Sequence, residues 1–184
     1  MGRRKTIDHE RILDAAEDVT LELGAARLTL DAVATRAGIS KGGLVYCFAS
    51  KELLIKAMFT REMKRFEEEL LSELAHFEGL PFARLHARIA ASKHETENTR
   101  AKAASIMATI SQMPEHVQEV RQAYTEDMED VHRSAEDMRR ATLALVAIEG
   151  AFLVRGLGLI DLTPEEWTGV FDDIATLIPK RSKN

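Results

Sequence analysis

The sequence predicts an all-α protein of about nine helices. Apolar residues recur at steps of three and four along almost the whole chain. No β-rich run and no internal repeat interrupts them. Four prolines and ten glycines in 184 residues are too few for a sandwich of short strands. Hydrophobic residues at 45% and charged residues at 30% make a globular mixture and exclude a disordered chain. A chain this long hides roughly 70% of its unfolded surface and needs no covalent staple.

Each helix has a local reason. Ile12, Ala15, Ala16, Val19 and Leu23 share one face of a first helix, stopped by Gly24. Thr29 can cap a short second helix holding Leu30, Val33 and Ala34, which Gly38 ends. Ser40 can cap a third, very short helix with Leu44 and Val45. Ser50 caps a long fourth, with Glu52 well placed for the helix dipole. Phe59, Met63, Phe66, Leu70 and Leu74 stripe that helix toward an end near Gly79-Leu80-Pro81. Pro81 suits the first turn of a fifth helix carrying Phe82, Leu85 and Ile89. The polar stretch from Lys93 to Arg100 marks a break. Ala103, Met107 and Ile110 form a sixth stripe, closed by Pro114. Val117, Val120, Tyr124, Met128, Val131, Ala135 and Met138 continue at helical steps, with a break expected between Ser134 and Asp137. Ala141 to Ile160 carries no charge except Glu149 and Arg155. Thr163-Pro164-Glu165-Glu166 opens a last helix with Trp167, Val170, Phe171, Ile174 and Leu177.

Net charge is −5, unevenly spread. Residues 1–60 hold nine Lys/Arg and eight Asp/Glu, and the remainder holds sixteen and twenty-two. A near-neutral first third with a basic arm, followed by an acidic remainder, permits two jobs in one chain. Cys47 is the only cysteine, which excludes an internal disulfide and favours a reducing, cytoplasmic setting. Asp8, His9 and Glu10 follow the arm where a secretory signal would be apolar, and no stretch reaches the ~20 apolar residues of a bilayer span. No membrane partner is expected.

Residues 29–48 hold the functional signal. A short helix, a glycine turn and a second short helix opened by a serine cap make a helix-turn-helix layout. The second helix would enter a DNA major groove roughly 12 Å wide. Lys41 can reach a base edge or phosphate, and the Tyr46 hydroxyl suits a phosphate. Lys51 brings a charge and free backbone N–H groups to the same DNA backbone. Arg3 and Arg4 of the arm can add phosphate or minor-groove contacts. Spacing alone is equally met by a plain helical hairpin.

Residues 8–55 resemble the DNA-binding domain of TetR-family transcriptional repressors. The matching residues are Ile12-Leu13-Asp14-Ala15-Ala16, Thr29-Leu30-Asp31-Ala32-Val33-Ala34, Ala37-Gly38-Ile39-Ser40-Lys41-Gly42, Leu44, Tyr46, Phe48 and Ser50-Lys51-Glu52-Leu53-Leu54. The resemblance implies that Thr29, Ser40, Lys41, Gly43, Val45, Tyr46 and Lys51 lie at the DNA surface, with Leu44 and Phe48 in the core. Cys47 stands where the family often has histidine. The resemblance also implies a DNA-binding domain over residues 1–50 and a ligand-binding and dimerisation domain over 51–184. Glu149-Gly150-Ala151-Phe152-Leu153, with Leu162-Thr163-Pro164-Glu165-Glu166, is similar to drug-responsive members.

The candidate ligand residues are Phe66, Met107, Ile110, Tyr124, Met128, Glu149 and Phe152. A methionine and aromatic stripe serves either as plain core or as an apolar pocket between bundle helices. Glu149 is the one acid in its run, so it has an internal partner or faces a cationic ligand. Gly150 and Gly156, with Trp167, Phe171 and Ile174, are the candidate dimer face. Six histidines form no zinc-type cluster, and no phosphate loop or nucleophile elbow is present, so no metal, cofactor or catalytic residue is expected. The reading is a repressor that binds palindromic double-stranded operator DNA as a homodimer. A small apolar or amphipathic inducer, cationic if Glu149 faces it, releases the DNA. The alternative is a helical carrier or adaptor without DNA contact.

Overall fold

The computed structural model describes residues 8–94, 96–110, 113, 118, 121–122, 124–132 and 138–179. Among them are nine α-helices, two single-turn 3₁₀ helices and no strand, so the fold is all-α. The helices are α1 His9–Leu23, α2 Leu30–Ala37, α3 Lys41–Cys47, α4 Lys51–Leu74, α5 Ala83–His94, α6 Glu97–Ile110, α7 Thr125–His132, α8 Met138–Gly156 and α9 Pro164–Leu177. Arg3 and Arg4, Pro114, Val117, Val120 and the break at Ser134–Asp137 lie outside the described residues. No described helix is long and apolar enough to cross a membrane.

The expected caps are in place. The Thr29, Ser40 and Ser50 hydroxyls accept from the N–H groups of Ala32, Gly43 and Leu53 at 3.2, 3.1 and 3.3 Å. Each satisfies a donor that the first turn leaves unpaired. Gly38 ends α2 in the left-handed region at φ 65°. Thr163 and Glu166 form a reciprocal capping box on α9. Pro81 is not in the first turn of α5. Phe82 has φ +57°, a non-helical conformation, so α5 starts at Ala83 and Pro81 belongs to the turn before it.

Two apolar cores organise the helices. The first joins α1, α2 and α3 to Leu54, Met58 and Phe59 of α4 and to Ile106 and Ile110 of α6. Helices beyond residue 50 therefore close the N-terminal core. The second is built from α5, α7, α8 and α9 and contains Leu85, Ile89, Leu145 and Ile148. Trp167, Phe171 and Ile174 belong to this second core, at 4%, 0% and 6% exposure. Buried within one chain, these side chains have no area to offer a second copy, which corrects their reading as a dimer face. Gly156 is likewise spent internally. A Cβ there would lie 2.5 Å from Ala104 Cβ and 2.9 Å from the Arg100 carbonyl, so α8 crosses α6 at that point. Gly150, by contrast, is exposed.

Candidate DNA-reading face and ligand cavity

Helices α2 and α3 present their expected residues outward. Tyr46 is 88% exposed and Val45 38%, while Leu44 is fully buried and Phe48 nearly so. The split follows from helix geometry, since Leu44 and Phe48 lie four apart on the inner face. Thr29, Ser40 and Lys41 are exposed, and Gly43 and Lys51 are partly so. Lys41 Nζ pairs with Asp31 at 2.8 Å, and Lys51 Nζ donates to the Ala26 carbonyl at 2.5 Å. Both ammonium groups are thus held at the surface by partners that a phosphate can replace. Cys47 is a free thiol, half-buried against the first core.

The second site lies among α4, α5, α6 and α8. A cavity of about 60 Å³ is lined by Phe59, Met63, Phe66, Met107, Ile148 and Phe152, and by the charged residues Glu62, Arg65, Glu69, Arg88 and Glu149. It shares Met63, Phe66, Arg88 and Tyr124 with an outer hollow of about 300 Å³ that adds Lys64, Glu67, Arg84 and Gln122. The inner chamber holds about two waters, and sites for drug-sized ligands span roughly 300–1,000 Å³, so a ligand must widen it or use both chambers. Of the expected ligand residues, Phe66, Met107, Tyr124, Glu149 and Phe152 line the cavity. Ile110 does not; it is buried in the first core. Met128 does not either; it packs against the second.

Glu149 has its partners inside the protein. Its Oε1 accepts from Arg88 Nε and Nη2 at 3.0 and 2.7 Å, and its Oε2 from the Tyr124 hydroxyl at 2.7 Å. Arg88 also donates to Asp127 at 2.6 Å, and its guanidinium lies 4.9 and 5.2 Å from the Phe66 and Tyr124 ring centres. The cation that these aromatics hold is the protein's own. Burial and the Glu149 carboxylate push the Tyr124 hydroxyl far above its ordinary value. Burial raises the Asp127 carboxyl despite two neighbouring arginines.

A second ionic cluster links this cavity to α1. Lys102 Nζ lies 2.6 Å from Glu17 Oε2 and 3.2 Å from Glu62 Oε2. Arg61 and Arg65 of α4 also engage Glu17. Sequence reading missed Arg88, Glu62, Glu69 and Lys102. Arg84 and Arg88, four apart on an otherwise apolar α5 face, were the available signal.

Two family models divide the sequence between them. Residues 12–58 match "Bacterial regulatory proteins, tetR family", and residues 82–179 match "Tetracyclin repressor-like, C-terminal domain". The chain belongs to the TetR family. This TetR-family protein is a DNA-binding transcriptional regulator, with a helix-turn-helix N-terminus and a ligand-binding C-terminal domain.

No curated protein matches the sequence. Among solved structures, a TetR-like transcriptional regulator from Rhodococcus sp. RHA1 is 25% identical, with TM-score 0.68, over 95% of this chain and 97% of that one. Two others share the fold. The fatty acid degradation regulator FadR from Bacillus halodurans has TM-score 0.72 at 18% identity, covering 95% of this chain and 96% of its own. The multidrug binding protein EbrR, solved with ethidium, has TM-score 0.69 at 18% identity, covering 96% and 100%.

Proposed function

We propose that this TetR-family regulator is a repressor. It binds a palindromic operator as a homodimer and releases it when a small amphipathic inducer occupies the cavity. In this reading residues 1–50 bind DNA, with Thr29, Ser40, Lys41, Gly43, Val45, Tyr46 and Lys51 on the contact face. Residues 51–184 bind the inducer and dimerise. EbrR was solved with ethidium, and FadR is a fatty acid degradation regulator, so the fold leaves the inducer open.

One observation carries the mechanism. Helix α4 begins at Lys51 on the DNA side, and its Glu62 and Phe66 line the cavity. Widening the cavity on its α4 side displaces the helix that supports the reading head. Two copies of α3 fit successive major grooves only when about 34 Å apart, so a shift of α4 spoils the spacing. Release requires that the inducer bind the DNA-free arrangement more tightly, by the same factor by which it weakens operator binding.

The dimer face in this reading is the outer side of α8. Leu143 and Val146 are 55% and 62% exposed there, with Gly150 one turn on. Such an apolar stripe on a helix surface suits a self-complementary two-fold contact.

A gel shift against the DNA upstream of its own gene, with the purified chain at moderate salt, tests the reading. A retarded complex containing two chains per site is expected. Binding no tighter than to random DNA would leave the helical carrier as the better account.

A further inference from the structure

We infer that the cavity selects an aromatic monocation and that Glu69 is its counter-charge. The inference rests on the ligand-cavity reading above. Three carboxylates line the inner chamber: Glu62, Glu69 and Glu149. Two are engaged. Glu62 lies 3.2 Å from Lys102 Nζ and 3.5 Å from Arg65 Nη1. Glu149 takes both Arg88 contacts and the Tyr124 hydroxyl. The lining cations are engaged too: Arg65 by Glu17 and Glu62, and Arg88 by Asp127 and Glu149. Glu69, half-buried on α4, has no ion pair or hydrogen bond to its carboxylate among the described residues.

The wall thus consists of matched charges plus one unmatched negative group. A ligand cation can approach Glu69 without breaking an existing pair. A ligand anion meets repulsion at Glu69 and reaches Arg88 only by displacing Glu149, which strands a partly buried acid. The rest of the wall suits an aromatic body. Phe59, Phe66 and Phe152 supply ring surface, and Met63 and Met107 adapt to shape.

Three fluorescent probes titrated into the purified protein test this: rhodamine 6G, a cation; N-phenyl-1-naphthylamine, which is neutral; and anilinonaphthalene sulfonate, an anion. Rhodamine 6G should bind tightest of the three. Glu69→Gln should weaken it by roughly tenfold, the worth of one partly buried ion pair, and leave the neutral probe within about twofold. The neutral probe doubles as the folding control, and Glu69→Asp should restore most of the loss. An unchanged rhodamine 6G affinity in Glu69→Gln, equal losses for cation and neutral probe, or tightest binding of the anion would each overturn the inference. If none of the three binds the wild-type protein, the ligand-cavity reading itself fails, and the selectivity falls with it.

Discussion

Lys102 Nζ lies 2.6 Å from Glu17 Oε2, and that contact ties α6 to α1 across 85 residues of sequence. Both side chains are about nine-tenths buried, and Glu62, which lines the cavity, shares the same ammonium. Burial by itself would raise the Glu17 carboxyl. The hydrogen bonds and charges of Lys102 and Arg61 outweigh it and hold the group below its ordinary value. The reading head and the cavity wall are thus joined through one buried cation.

Lys102→Met should therefore destabilise the fold by about 3 kcal/mol, because two buried carboxylates lose their ammonium. The penalty should depend on pH. A group held low in the folded state adds stability above its unfolded value near 4.3 and loses it as pH falls through the folded value. The wild-type advantage should then narrow as the medium is acidified below about pH 4. Urea unfolding at neutral and acid pH measures this, and a gap independent of pH would show that Glu17 does not carry the effect.

Tyr46→Ala should leave stability within about 0.5 kcal/mol, since the side chain is almost entirely in water, yet weaken operator binding. Lys51→Ala should weaken operator and random DNA alike and reduce the slope of log affinity against log salt by about one. Fluorescence anisotropy at several salt concentrations reads both. An unaltered slope would take Lys51 off the DNA backbone.

Two charge insertions separate the dimer face from the core. Val146→Glu places a carboxylate on the exposed side of α8 and should yield folded monomers. Phe171→Glu places one at a site with no exposure and should unfold the chain. Light scattering with circular dichroism distinguishes the outcomes. A folded dimer of Val146→Glu would move the interface away from α8.

Gly156→Ala should cost about 1–3 kcal/mol, because the new methyl meets the Ala104 side chain and Arg100 backbone where α8 crosses α6. Pairing it with Ala104→Gly should recover part of the loss, leaving the conflict with the Arg100 carbonyl. Thermal melts of the single and double variants give the coupling.

The residues show why some of this was legible in the sequence and some was not. Thr29, Ser40, Ser50 and Thr163 announce helix starts because a cap needs only its own next three residues. The spacing of Trp167, Phe171 and Ile174 reveals an apolar stripe but not what covers it. Arg100 and Arg155 lie over the Trp167 ring at 4.4 and 4.5 Å, and both come from elsewhere in the chain. Glu149 stood out as a lone acid, but its partners are 61 and 25 residues away. Lys102 and Glu17 carry no local mark at all. Their meaning exists only after α6 packs on α1.

The placement of Ile106 and Ile110 bears on how the protein is made. Both are buried in the core that α1, α2 and α3 share, and the Ser105 hydroxyl accepts from the Ala25 N–H at 2.9 Å. As the polypeptide leaves the ribosome, its first half emerges without these wedges and with Glu17 still lacking Lys102. The N-terminal helices must wait until α6 has emerged before their core can close. Their apolar faces stay uncovered over that interval, and the second core waits longer still, for Trp167, Phe171 and Ile174.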